Sequence, residues 1–426
     1  MFFNTKKLLL LILLPLIIFI IIFVIYKNLP LPPPSPTPMF VSPLSSSAVR
    51  LLPQNDKEVI NKNNFPSGFQ GNPVKKEVVG FLPFWLLDKE EQIPYKNLTQ
   101  IAYFGLEVKD DGSFVRLLED QTYEPGFSNM KGEIFKKVKE NAKKNNVKLL
   151  LTLRLMQTGP IDRLLISNTA QENLINNTIN ILKEEGFDGV NIDFEYEGSP
   201  DTQVIKNFTK FTKTLTEKVH QKINGGTVSV SAYSDSAYKV RITEIWPLSQ
   251  VADHIIIMGY DFYRPSSETA GPVSPLTGAG KIYEYDISQT IKDYLRLSSP
   301  DKIILGVPFY GYDWPISSTN KYGRSIDFAA LSSYQRTKKL IAEKNLKESW
   351  DEISNTPFLN YIDKEGIYRQ VFYDNEKSLS LKLDLINVKN LAGIAIWAIG
   401  YEGENKELWN VIGKKLGPPI SVTKNN

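Results

Sequence analysis

From residue 77 onward the chain alternates short apolar runs with longer stretches whose apolar residues recur at helical spacing. Eight runs read as strands, at residues 78–84, 101–108, 147–153, 190–196, 227–233, 254–260, 303–309 and 393–398. Amphipathic helices are predicted between several of them, at 130–145, 170–185, 201–222 and 287–297. Eight strands alternating with helices predict the α/β class, as a closed parallel (β/α)8 TIM barrel rather than an open sheet. The connection after the seventh strand is far longer than the others. It predicts a helix around 327–345, then two alternating stretches at 358–363 and 366–373. These flank Asp363-Lys364-Glu365-Gly366, which reads as a hairpin turn. A small α+β insertion is therefore expected between strands 7 and 8, at about 315–390. The barrel is expected to span 75–418, closed by a terminal helix around 407–415, with a short tail at 419–426.

The N-terminal pattern is different. Residues 8–26 carry no charge and follow Lys6 and Lys7, with Lys27 the nearest charge afterwards. That length suffices for a transmembrane helix, and the basic residues before it place the N-terminus in the cytoplasm. The expectation is a single-pass membrane anchor at 1–27 with the remainder extracytoplasmic; a cleaved signal peptide and secretion form the alternative. Residues 28–74 are rich in Pro and Ser and read as an extended linker, able to hold a domain on the order of 100 Å from the membrane.

The fourth run carries the candidate chemistry. Side chains alternate along a strand, so Asn191, Asp193, Glu195 and Glu197 share one face while Ile192, Phe194 and Tyr196 share the other. In a barrel strand neither face meets water, and acids there are costly unless they perform chemistry. Active sites of parallel barrels lie at the carboxyl ends of the strands. Those ends place Trp85, Phe104, Arg154, Glu195, Tyr233, Tyr260, Asp261, Tyr310 and Trp397 together. Aromatic faces among acids suit a carbohydrate. Composition excludes other classes: 50 basic against 47 acidic residues argue against a nucleic-acid partner, and the absence of cysteine excludes thiolate chemistry. Only two histidines occur, His220 and His254, without ligand spacing, so no metal and no cofactor are expected.

The segment Asp188-Gly189-Val190-Asn191-Ile192-Asp193-Phe194-Glu195 resembles the fourth-strand signature of glycoside hydrolase family 18, the chitinase-like barrels. Met258-Gly259-Tyr260-Asp261 resembles that family's sixth-strand motif, and Gly271-Pro272-Val273-Ser274-Pro275-Leu276 the segment after it. Leu305-Gly306-Val307-Pro308-Phe309-Tyr310-Gly311 and Gly393-Ile394-Ala395-Ile396-Trp397 resemble the seventh and eighth strands. The resemblance covers roughly residues 77–418, with the motifs in order. It implies cleavage of β-1,4 bonds at N-acetylglucosamine with retention, assisted by the substrate's own acetamido group. Glu195 would be the general acid and then the base. Asp193 would hold the acetamide, Tyr260 would donate to its carbonyl oxygen, Asp261 would support the bent sugar, and Trp397 would form the floor. Asn191, Met258, Trp85, Phe104, Tyr310 and Arg154 complete the expected binding set.

Two departures bear on this reading. Asn191 stands where many members carry an aspartate, as in the subgroup resembling spore-cortex N-acetylglucosaminidases. That subgroup directs the expectation to peptidoglycan. Arg154 stands where chitinases show a Ser-Gly-Gly turn, and is read either as a ligand for an acidic sugar or as an ion pair with a rim acid. The partner expected is an N-acetylglucosamine-containing glycan bound by a monomer. A lectin-like protein on the same barrel is the alternative, against which the retained Glu195 speaks; a metal-dependent barrel hydrolase is disfavoured by the two isolated histidines.

Overall fold

The structure, a computed structural model, describes residues 76–281 and 283–417. The expected anchor at 1–27, linker at 28–74 and tail at 419–426 lie outside the described residues. Among those described, no helix is long and apolar enough to cross a membrane.

Eight parallel strands close a barrel. In chain order they are β1 (Glu77–Pro83), β2 (Gln100–Glu107), β3 (Lys148–Leu155), β4 (Gly189–Phe194), β5 (Thr227–Tyr233), β6 (His254–Met258), β7 (Ile303–Pro308) and, last, Gly393–Trp397. The last strand pairs with both β1 and β7, which closes the ring. Alternation divides each strand. Leu151, Leu153, Val190, Ile192 and Phe194 face outward into one large core shared with the surrounding helices. Val79, Phe81, Ala102, Phe104, Leu150, Ile256, Ile304 and Ala395 form a second, smaller cluster. Alternation places these on the opposite faces of their strands, toward the barrel axis. That cluster takes nothing from β4 or β5, whose corresponding positions are Asn191, Asp193, Ser229 and Ser231.

Local signals explain why β4 starts where it does. The helix Asn168–Glu185 is capped by Ser167, whose side chain accepts from the Ala170 N–H, and it ends at Gly186 in the left-handed conformation at φ 75°. Three residues later β4 begins at Gly189, where a Cβ would sit 2.2 Å from the Thr227 carbonyl oxygen. Only glycine lets β4 approach β5 there.

The connection after β7 forms a five-stranded sheet in the order β10-β11-β12-β8-β9. Its members are β8 (Tyr310–Ile316), β9 (Ala330–Ser333), β10 (Ser349–Asp351), β11 (Thr356–Ile362) and β12 (Tyr368–Phe372). The last barrel strand is thus β13. The hairpin expected around 363–366 joins β11 to β12 with Ile362 opposite Tyr368. Three predicted boundaries move. The helix expected from 327 starts at Tyr334, because Ala330–Ser333 pairs with β8 first and Ser333 then caps the helix. The helix expected over 130–145 is two, Pro125–Met130 and Glu133–Lys144, broken at Lys131-Gly132. Tyr310, expected at the end of a barrel strand, opens β8 instead.

Candidate active site

Asn191 and Asp193 lie buried along β4, at 0% and 5% exposure, and Glu195 is half-buried just beyond the strand end. Asn191 is committed to its neighbours on β5. Its amide donates to Ser229 Oγ at 3.0 Å, and its carbonyl oxygen accepts from Ser231 Oγ at 3.2 Å. Asp193 Oδ1 is buried and has no hydrogen-bond partner among the described residues. Glu195 continues the ladder through its N–H to the Leu155 carbonyl, and its Oε2 accepts from the Tyr233 hydroxyl at 3.1 Å.

Burial sets the proton balance of this pair. It lifts the Asp193 carboxyl to about 8, with the charge of Glu195 adding to the rise. Glu195 is also raised by burial, and the Tyr233 hydroxyl pulls back against that rise. Two carboxyls so close and so poorly hydrated titrate as a unit, and the pair retains a proton into the neutral range. That is the condition a general acid needs.

The β6 side supplies hydroxyls. The strand ends at Met258, so Tyr260 and Asp261 sit in the loop after it, Asp261 with φ 57°. Asp261 Oδ1 accepts from Tyr310 Oη at 2.5 Å and from Tyr312 Oη at 2.9 Å. Burial keeps the Asp261 carboxyl raised despite those donors. Tyr260 is raised well above the usual phenol range by burial, then by the charges of Asp193, Glu195 and Asp261, so it stays a neutral O–H donor. The Tyr260 and Tyr310 rings meet edge-on at 6.3 Å. Met258, partly buried, lies opposite Tyr233 in the β5–β6 register.

The aromatic expectations divide. Half-buried Trp397 packs on Phe81 at 5.5 Å and edge-on to Phe104 at 4.8 Å. Trp85 is 45% exposed in the turn after β1, with its ring edge-on to Phe104 at 5.9 Å. Phe104 (5% exposed), Tyr310 (3%) and Asn191 (0%) are buried as Asp193 is, and each is engaged in packing or hydrogen bonding. For Arg154 the structure shows the ion pair: its Nη2 meets Glu107 Oε2 at 2.8 Å, and its guanidinium lies 5.7 Å from the Phe104 ring centre.

Five contributors were given no role by the sequence reading. Ser229 and Ser231 were visible as the polar half of an alternating strand, without a partner to assign. Tyr312 was hidden because β8 was not anticipated. Arg264, whose positive charge favours ionisation of both Glu195 and Asp261, had no signal beyond following the sixth-strand motif. Tyr233 was placed at a strand end but given no role. Among the described residues, no group of three or more His, Cys, Asp or Glu could hold a metal ion.

The family model for Glycosyl hydrolases family 18 matches residues 77–402. The putative sporulation-specific glycosylase YdhD of Bacillus subtilis is 28% identical over 250 residues, covering 58% of this chain and 56% of that protein. Human di-N-acetylchitobiase is 28% identical over 262 residues, covering 56% of this chain and 66% of its own. The chain thus spans less than two thirds of the length of either relative. Among solved structures, the spore cortex-lytic enzyme SleL of Bacillus megaterium superposes with a TM-score of 0.64 at 21% identity, covering 81% of this chain and 75% of that one, a likeness of fold.

Proposed function

The chain belongs to glycosyl hydrolases family 18, and from that premise we propose that it is a retaining glycosidase cutting β-1,4 bonds at N-acetylglucosamine in cell-wall glycan. The observation that carries this reading is the buried, unpartnered Asp193 Oδ1 beside a half-buried Glu195, two carboxyls that together keep a proton into the neutral range. A buried carboxylate oxygen without a donor is a stability cost, and an arriving acetamide N–H would supply the missing donor.

In the proposed reaction, Asp193 accepts that N–H and orients the acetamide so that its carbonyl oxygen reaches the anomeric carbon. Glu195 gives its proton to the glycosidic oxygen as the bond to the anomeric carbon breaks, and the shortened glycan leaves with a new hydroxyl. The acetamido oxygen bonds to the anomeric carbon in the same step, forming a cyclic oxazolinium whose positive charge Asp193 balances. Tyr260, a neutral donor, hydrogen-bonds that oxygen as it attacks. Water then gives a proton to Glu195 and attacks the same carbon from the vacated face. The ring reopens with the original configuration. Asp261, held by Tyr310 and Tyr312, and the Trp397 face would position the distorted sugar.

Relatives named for sporulation and for cortex lysis direct the substrate toward peptidoglycan. The apolar stretch 8–26, preceded by Lys6 and Lys7, is proposed to anchor a monomer with the barrel outside the cytoplasm. Carbonate-resistant membrane association together with protease-accessible barrel in spheroplasts tests that placement; release into the medium without residues 1–27 would refute it.

The full chain, incubated with peptidoglycan strands and separately with chitooligosaccharides, should release fragments ending in reducing N-acetylglucosamine. Glu195→Gln should lower the rate by about two to four orders of magnitude. Initial products should be β-anomers by proton NMR. No release from either glycan, or equal release by Glu195→Gln, would reject the proposal.

A further inference from the structure

A cavity of about 390 Å³ opens beside the candidate site between the carboxyl ends of β2 and β3. It holds roughly the volume of a dozen water molecules. Its charged lining is Glu107, Lys109, Asp110, Arg154 and Arg163, three cations against two carboxylates. Val115, Met156 and Pro160 give it an apolar side. Arg154 connects it to the chemistry, because it is the register partner of Asp193 across β3 and β4 and its positive charge acts on the Asp193 carboxyl. The cavity therefore adjoins the candidate carboxylates on the β3 side, through Arg154.

Three further features mark it as a place for an anion. Arg154 engages Glu107 through Nη2 alone, while its Nε is buried with no hydrogen-bond partner among the described residues. A buried donor left unmade is costly, and a carboxylate that reorients the guanidinium removes the cost. Arg163 meets Asp110 through Nε at 2.6 Å in an exposed pair that an incoming anion can share. Gln157, the residue before the helix Thr158–Ile166, and Pro160 in its opening turn line the cavity, and that helix has no side-chain cap on its N-terminus.

We propose that this cavity reads a carboxylate carried on the 3-O substituent of the sugar adjoining the cleaved N-acetylglucosamine, with Arg154 and Arg163 receiving the charge and Met156 and Pro160 the alkyl part. The class of ligand is a glycan with acidic, ether-linked side groups, such as the lactyl group of muramic acid, rather than a homopolymer of N-acetylglucosamine. The inference rests on the glycosidase reading only for the direction in which the glycan enters.

The test uses the full chain with Glu195→Gln, titrated by calorimetry with three ligands. The first is a tetrasaccharide alternating N-acetylglucosamine and N-acetylmuramic acid with free lactyl carboxylates. The second is the same sugar with the lactyl groups converted to methylamides, and the third carries stem dipeptides ending in a carboxylate. The free acid should bind about tenfold more tightly than the methylamide. That ratio should shrink with added salt and fall toward one in Arg154→Gln and Arg163→Ala. Equal tight binding of the dipeptide form, sensitive to both arginines, would put the recognised carboxylate at the peptide end, read by the same cavity. Equal affinity for acid and methylamide, or a ratio that survives both arginine substitutions, overturns the proposal. Turnover of the same ligands by the unsubstituted protein is scored separately. Failure to cleave with the acid preference intact rejects the glycosidase reading alone, and cleavage without a preference rejects the cavity alone.

Discussion

Removing the Tyr233 hydroxyl tests the proton balance of the site directly. In the structure that hydroxyl donates to Glu195 Oε2 at 3.1 Å and opposes the effect of burial. Its hydrogen bond favours the ionised carboxylate, so Tyr233→Phe should raise the pKa at which Glu195 loses its proton. A hydrogen bond to a charged acceptor contributes about 1.5–3 kcal/mol, and about 1.4 kcal/mol corresponds to one pH unit. Sealed from water, the group would move by roughly one to two units; Glu195 is only half-buried, so solvent screening reduces the expectation to about one. The ring should stay in place, because its face against Arg241 (5.1 Å) does not involve the hydroxyl. The assay is kcat/KM against pH on a neutral oligosaccharide. The acid must be protonated to act, so the alkaline limb should move up by about one unit while the plateau changes less. That limb belongs to the Asp193–Glu195 pair together, which makes its displacement, not its absolute position, the informative quantity. A limb that stays put or moves down, with activity lowered evenly at all pH values, would show that Tyr233 is merely structural.

Two stability measurements probe the scaffold behind the site. Lys382, fully buried, reaches Asp374 and donates to Ser274 Oγ at 2.8 Å, while Ser274 donates to the Gly259 carbonyl just before Tyr260. Lys382→Ala should therefore cost about 3–5 kcal/mol in urea unfolding, and Lys382→Met combined with Asp374→Leu should recover most of it; an equal loss in both would refute the pairing argument. Glu402, 1% exposed, is raised to about 7 by burial even though Trp409 Nε1 and the Gly400 N–H donate to it. A carboxyl raised in the fold is neutral there below the unfolded value near 4.5. The contribution of Glu402 to stability should thus fall as pH rises from about 4.5 to about 7, by at most about 3 kcal/mol, and level off above. Glu402→Gln should remove that contribution and leave the part of the slope due to the other raised carboxyls, Asp193 and Asp261 among them; an unchanged slope would assign it wholly to those.

The barrel and the carboxylate pair were legible because both follow from short-range periodicity. Eight short apolar runs alternating with helical stretches specify the strands, and the two-residue alternation on β4 puts Asn191, Asp193 and Glu195 on one face whatever the strand pairs with. What stayed hidden depends on pairing between distant segments. Nothing local distinguishes Tyr310 as the end of a barrel strand from Tyr310 as the start of β8; the difference is made by Phe372, which lies opposite Tyr312. With β8 unrecognised, Tyr312 could not be assigned to Asp261. Likewise Ala330–Ser333 reads as part of a helix until β8 offers it a partner. The edge-on contacts of Phe104 with Trp85 and Trp397 likewise join segments far apart in sequence, which no local pattern reveals.

The choice of donors around the carboxylates follows from what the acid must do. A lysine or arginine in contact with Glu195 would hold it ionised at neutral pH and remove its proton-donating capacity. The structure instead places phenols there: Tyr233 on Glu195, and Tyr310 and Tyr312 on Asp261, each a neutral donor that relieves burial without adding charge. The cations are kept at one remove. Arg264 acts from the loop beyond Asp261, and Arg154, the register neighbour of Asp193, is drawn aside by Glu107. Asn191 fits the same logic. A third carboxylate at that position would add like charge to an interior that already raises Asp193 to about 8, whereas the amide donates to Ser229 and accepts from Ser231 at no electrostatic cost. On the same strand, Asp193 Oδ1 is left buried without a donor. A barrel that satisfies the Asn191 amide through Ser229 and Ser231 yet leaves that oxygen without a donor carries a local cost that a ligand N–H would remove.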